Sequence, residues 1–158
     1  MKTNRRIIRE KVLQVLYAFE INGEGLTYLT DGILSDVQNQ SDVIFAKELI
    51  NKVVANKNLF DEEIRKRVEN WEMDRIALID KILLMMGMAE ISFFPDIPPK
   101  VSINEVIEIA KEYSTSNSGK FINGILDSLL SDLKKQGKLK KAGRGLVDET
   151  LPKKVDNE

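Results

Sequence analysis

A chain of 158 residues, 42% hydrophobic, 31% charged and 6% aromatic, has the make-up of one soluble globular folding unit with a helical leaning. It has no cysteine and no histidine, which excludes disulfides, thiolate nucleophiles and sulfur-ligated metal and removes the commonest general base and metal ligand. Lys+Arg 24 against Asp+Glu 25 leaves a formal net charge of -1, so attraction for nucleic acid must come from local clustering. No apolar run reaches the roughly 18 residues of a membrane span, and the basic N-terminus lacks the apolar stretch of a signal peptide. A cytoplasmic, membrane-free protein with no catalytic residues, metal or cofactor is expected.

Residues 3–22 read as a helix, because Ile8, Val12, Val15, Leu16 and Phe19 form one apolar stripe, and Asn22-Gly23 ends it. A shorter helix fits Leu26, Leu29, Ile33, Leu34 and Val37. After the polar stretch 38–42, a third runs to about Lys57 on Val43, Ile44, Ala46, Leu49, Ile50, Val53 and Val54. Leu59 to Asn70 is compatible with a short, charged fourth helix. From Asp74, a candidate N-cap, to Ile91 the chain is apolar almost all round, relieved by Asp80, Lys81 and Glu90, as suits the middle of a bundle. Pro95, Pro98 and Pro99 stop it. Ser102 and Glu105 then match a capping box, with Val101 and Val106 as its hydrophobic staple, opening a helix to Tyr113. A polar run from Ser114 to Gly119 precedes the last helix, striped by Ile122, Ile125, Leu126, Leu129, Leu130 and Leu133.

No strand pattern competes, so the expectation is an all-α protein of about seven helices. It divides into an N-terminal helical subdomain (1–58), a C-terminal helical subdomain (59–136) and a charged tail (137–158) too poor in apolar residues to order itself.

Two constellations carry candidate chemistry. Lys2, Arg5, Arg6, Arg9 and Lys11 gather at the start of the first helix, where Lys2, Arg6 and Arg9 fall within an arc of about 60°, with Tyr17 beside it. Cations at a helix N-terminus oppose its dipole, and the cluster reads either as a solvated positive end or as a set of phosphate-binding forks. The second lies at the start of the last helix, where Asn117, Ser118, Lys120 and Phe121 combine an amide, a hydroxyl, an ammonium and an aromatic ring with free backbone N–H groups. Phe121 sits at the edge of the leucine stripe, as a core-rim residue or a stacking platform for a base. Asp80 reads as a satisfied salt bridge or as a partner contact.

The motifs together resemble the NusB family. Arg5-Arg6-Ile7-Ile8-Arg9-Glu10 with Gln14-Val15-Leu16-Tyr17 is similar to the family's opening. Asn70-Trp71, Arg75 and Ile79-Asp80-Lys81-Ile82-Leu83 resemble its middle. Pro99-Lys100-Val101-Ser102-Ile103-Asn104-Glu105 with Glu108-Ile109-Ala110-Lys111, and Lys120-Phe121-Ile122-Asn123-Gly124-Ile125-Leu126-Asp127, resemble its last two segments in family order. The resemblance implies two packed three-helix bundles, with the first helix and the start of the last near each other on one RNA-binding face. It implies an antitermination factor that binds boxA-type single-stranded RNA with the ribosomal protein NusE, within an RNA polymerase antitermination complex. Carried over by residue, Arg5, Arg6 and Arg9 become phosphate contacts, Lys120 and Phe121 lie near bases, and Tyr17 with Asp80 falls where RNA or NusE is met. Ile8 and Val12 stand where the family has alanine, Met85 where many members have arginine, and Asn117 where the residue is often acidic.

Overall fold

The computed structural model describes residues 2–147, apart from the side chains of Asn70 and Trp71. Eight α-helical segments and no strand occur among the described residues: α1 (Asn4–Asn22), α2 (Leu26–Ile33), α3 (Gln40–Ala55), α4 (Lys57–Arg65), the single turn α5 (Asn70–Met73), α6 (Leu78–Phe93), α7 (Pro99–Tyr113) and α8 (Ser118–Lys135). The all-α class and the expected long helices are all present.

Local chemistry fixes the ends of the first bundle. The Thr3 hydroxyl accepts from the Arg6 N–H at 3.2 Å and starts α1. Gly23, at φ 74°, closes it by donating to the Phe19 carbonyl at 2.8 Å, a left-handed conformation that costs glycine nothing. Asn39 caps α3 by accepting from the Ser41 and Asp42 N–H groups. The helix α1 packs on α2 and α3 through Ile8, Val12, Leu13, Val15 and Leu16, while α6, α7 and α8 pack mutually as a second bundle. Contacts of α6 with α1 and α3 join the two, and this explains why residues 82–91 of α6 are buried on every face. Ile8 and Val12 are accommodated in the core, at 4% and 0% exposure, and Met85 is buried there as well.

Beyond an α2 and an α4 shorter than the sequence reading gave, three further boundaries differ from it. Asp74 closes α5, whose own capping box is made by Glu69 and Glu72, and α6 begins only at Leu78. The Ser102/Glu105 capping box does not form. Pro98 is the N-cap and Pro99 takes the first helical position, where its ring-fixed φ and missing N–H cost nothing, so α7 opens about one turn earlier, with Ser102 inside it. Both side chains are thereby released for other partners, described below. Finally, the tail expected to be unordered from residue 137 is held as far as residue 147. The Ala142 N–H donates to the Pro95 carbonyl at 2.9 Å, and the Lys141 ammonium donates to the Phe94 and Glu90 carbonyls at 2.8 and 3.1 Å. A short 3-10 turn, Gly143–Leu146, follows, with Gly145 buried against Pro95. These groups add donors to backbone carbonyls where the prolines end α6, those of Glu90 and Phe94 already accepting one backbone N–H each. The rest of the expected tail, 148–158, lies outside the described residues.

Candidate nucleic-acid interface

Every cation at the start of α1 meets a carboxylate. Lys2 reaches Glu112 at 2.7 Å and Glu10 at 2.9 Å. Arg5 binds Asp42 at 2.9 Å while its guanidinium lies 4.3 Å over the Phe45 ring. Arg6 makes a two-pronged contact with Glu105, Nε to Oε2 at 2.8 Å and Nη2 to Oε1 at 3.0 Å. Lys11 pairs with Asp36 at 3.0 Å. Hydrogen bonds donated to Glu112 and Glu10 hold the Lys2 ammonium above its ordinary pKa, and those donated to Glu105 do the same for Arg6. The cluster is a lattice of ion pairs, not a bare positive patch.

Arg9 departs furthest from the expected surface role. It is 3% exposed and grips Glu90, itself 0% exposed, through Nε to Oε2 at 2.9 Å and Nη2 to Oε1 at 2.7 Å. The Ser102 hydroxyl adds a third donor to Glu90 at 3.0 Å. Burial opposes the charge on Arg9, but the hydrogen bonds and charge of Glu90 outweigh it, and the pKa stands above the ordinary value. A guanidinium so enclosed ties α1 to α6 and α7 and presents no fork to an incoming phosphate. Of the three arginines expected on phosphates, Arg5 and Arg6 remain partly accessible, with side chains 43% and 24% exposed.

The carboxylates that organise this face were not singled out from sequence as partners of the cluster. Glu90 carried the available signal: a charge inside an otherwise apolar helix needs a buried counter-charge. Glu105 and Ser102 were misassigned to a local cap, which hid their long-range partners Arg6 and Glu90.

The Lys2–Glu112 and Arg6–Glu105 pairs lay the start of α1 along α7, and α7 leads through a four-residue connection into α8. The two sequence constellations are thus brought to neighbouring parts of one surface. Asn117 is exposed as the residue before α8 and makes no side-chain capping bond; Lys120 is exposed beside it. Ser118 is buried, and Phe121 is half-buried at the rim of the core. Asp80, in the first turn of α6, is 7% exposed and accepts from the Ser118 hydroxyl at 2.8 Å through Oδ2. A hydroxyl thus meets this carboxylate where a salt bridge was one of the two roles read from sequence. Asp80, Asn117, Ser118 and Phe121 line an open cleft of about 340 Å³ together with Glu72, Arg75, Ile76, Ala77 and Thr115. Tyr17 stands apart: 42% exposed, it lies eleven residues beyond Arg6, about 16 Å along α1 at the usual helical rise, with Ile21 exposed one turn further on.

Comparison with known proteins adds a second line of evidence. The family model described as "NusB family" matches residues 6–131. The Transcription antitermination protein NusB of Chloroherpeton thalassium is 47% identical over 99% of this chain and 74% of its own length. Among solved structures, T. maritima NusB superposes with a TM-score of 0.77 at 35% identity, over 88% of this chain and 100% of that one. A NusB solved with NusE in complex with double-stranded RNA gives 0.74 at 25% identity, over 84% and 99% of the respective chains.

Proposed function

The chain belongs to the NusB family, and from that premise we propose that it is a transcription antitermination factor that binds boxA-type single-stranded RNA together with the ribosomal protein NusE, in support of ribosomal RNA transcription. It acts by binding rather than by catalysis, in the cytoplasm where transcripts emerge, as part of an antitermination complex on RNA polymerase. No described helix is long and apolar enough to cross a membrane.

The observation that carries the reading is the meeting of the two constellations on one surface, fixed by Lys2–Glu112 and Arg6–Glu105. Lys2, Arg5 and Arg6 offer donors that phosphates win by displacing carboxylates, Lys120 adds an exposed ammonium, Asn117 and Phe121 lie toward the bases, and the buried Ser118 supports them from beneath. Arg9 serves this face from beneath, by holding α1 in place. Tyr17, with its exposed ring, belongs to the partner side of the surface, and Asp80 stands between the two. The test is filter binding of a boxA-type RNA and of a scrambled one, with and without NusE. Sequence-selective retention, strengthened by NusE and weakened by salt, is expected.

One observation favours a second reading, a protein-binding helical adaptor: the carboxylates that neutralise the basic cluster. Such an adaptor would bind NusE yet retain neither RNA selectively, at any salt concentration.

A further inference from the structure

We propose that the start of α7, the end of α8 and the segment after α8 form a peptide-docking site, whose pocket takes one aliphatic side chain of an acidic segment from a protein partner. The lysines around the pocket meet the carboxylates that flank that side chain. The site does not depend on the RNA-binding function proposed above and stands apart from its face: Lys134 lies 14 residues beyond Lys120, about 21 Å along α8 at the usual helical rise. Six of the nine residues that line the pocket also come after residue 131, where the match to the family model ends.

From Leu133 to Val147 the sequence carries five lysines, one arginine and no acidic residue, in a chain whose formal net charge is -1. Such a run of like charge ordinarily stays unordered in solvent. Here the Ala142 N–H and the Lys141 ammonium tie it to the carbonyls of Pro95, Glu90 and Phe94, so a partner meets charges already in place and need not order them. Lys100 of α7, Lys134 of α8 and Lys141 of the following segment stand round one pocket. Its walls are aliphatic: Leu130 and Leu139 line it together with Leu146 and Val147, which are 66% and 45% exposed.

These features select the class of partner. At about 150 Å³ the pocket is smaller than the roughly 300 Å³ at which small-ligand sites begin, and is suited to a single side chain. No aromatic ring lines it among the described residues, so it offers a nucleobase no stacking platform. An aliphatic anchor between carboxylates uses both parts of the site. The anchor leaves water together with Leu146 and Val147, and the carboxylates meet ammoniums that come from three elements. Burial presses the Lys141 pKa down to about 8, and a carboxylate brought beside it offsets that effect. The chain's own continuation, Asp148-Glu149-Thr150-Leu151, is acidic on one side of its leucine only, with Lys153 and Lys154 on the other. A partner segment with acids on both sides matches the three lysines better.

The probe is a fluorescein-labelled synthetic peptide with one leucine between two pairs of aspartates, read by fluorescence anisotropy on the full chain, with a control peptide carrying serine for the leucine. The leucine peptide should bind saturably, about tenfold tighter than the control, and more weakly as salt is raised. Leu146→Ser should weaken it about fivefold, and Lys134→Glu about tenfold at low salt, with the second loss shrinking as salt rises. Both side chains are on the surface, so melting and boxA-type RNA binding should match the wild type in both variants, which separates a lost site from a lost fold. Equal binding of the two peptides would make the site an unselective basic patch and overturn the proposal, as would binding of neither, or binding unchanged in both variants. If Lys134→Glu loses RNA and leaves the peptide bound as before, phosphates occupy this face and the proposal fails. If Asp148→Ser with Leu151→Ser in the full chain tightens the peptide about tenfold, the tethered continuation already fills the pocket and a partner does not.

Discussion

Arg9 and Glu90 meet where α1 crosses the α6–α7 pair, both shut off from water and held by two short hydrogen bonds. Removing one partner leaves the other charge buried and uncompensated, so Arg9→Ala should cost about 3–5 kcal/mol, a large part of the stability of an ordinary domain. Urea denaturation measures it, and Arg9→Met with Glu90→Leu should lose less than Arg9→Ala alone. Arg5 and Arg6 carry a different expectation, since their pairs are partly open to water. Arg5→Ala with Arg6→Ala should leave the fold intact and flatten the slope of log affinity against log salt by about 1.4 for single-stranded RNA, 0.7 for each phosphate lost. A slope unchanged from the wild type would place RNA elsewhere. At Asn117, aspartate would bring a negative charge toward phosphates while gaining the chance to cap α8. Asn117→Asp should therefore weaken RNA binding by roughly 0.5–1.5 kcal/mol with melting unchanged or slightly raised; equal or tighter binding in a filter assay at fixed salt would remove Asn117 from the interface.

The segment after α8 behaves as a strap across the proline loop. A Cβ built on Gly145 would overlap the Pro95 carbonyl oxygen, a backbone atom with little room to move. Gly145→Ala should release the strap at a cost of about 1–3 kcal/mol, with amide exchange of Ala142 rising. Lys141 makes the same strap sensitive to pH. Burial pushes its pKa down from 10.5 to about 8, although the charges of Glu90 and Asp96 push back. Between those two values the unfolded chain holds more protons than the folded one, so this residue's contribution to stability rises with pH across that window and is constant below it. Urea midpoints at about pH 7 and about pH 9.5 should separate the wild type from Lys141→Met increasingly in favour of the wild type; a constant gap would contradict the burial of the ammonium.

The two bundles share one core. Residues 59–136 contain all of α6, α7 and α8, yet α6 loses its cover from α1 and α3 when cut away, and Glu90 loses Arg9. Expressed alone, that fragment should not melt cooperatively in circular dichroism, whereas removing only 148–158 should leave the transition of the full chain in place. We propose that the division at residue 58 is one of chain order within a single folding unit. The same shared core sets the RNA face, because α1 is held against α7 and α6 by ion pairs that cross from one bundle to the other.

Periodicity was enough to find every long helix, since an apolar stripe on a 3.6-residue repeat is a local property of the chain. Gly23, the proline stop and the all-round apolar character of α6 were legible for the same reason, and the order of the family motifs carried the functional reading. What residues the motifs face is not local. Ser102 and Glu105 match a capping box by spacing, but Pro98 and Pro99 had already begun the helix, and both side chains turned to partners 12 and 99 positions away. Arg9 looked like Arg5 and Arg6 until the packing of α6 enclosed it, and the strap looked unordered because its stability comes from carbonyls on the proline loop. Helical spacing sets which side chains share a face; only the assembled core decides which of their charges stay in water and which are paired away from it.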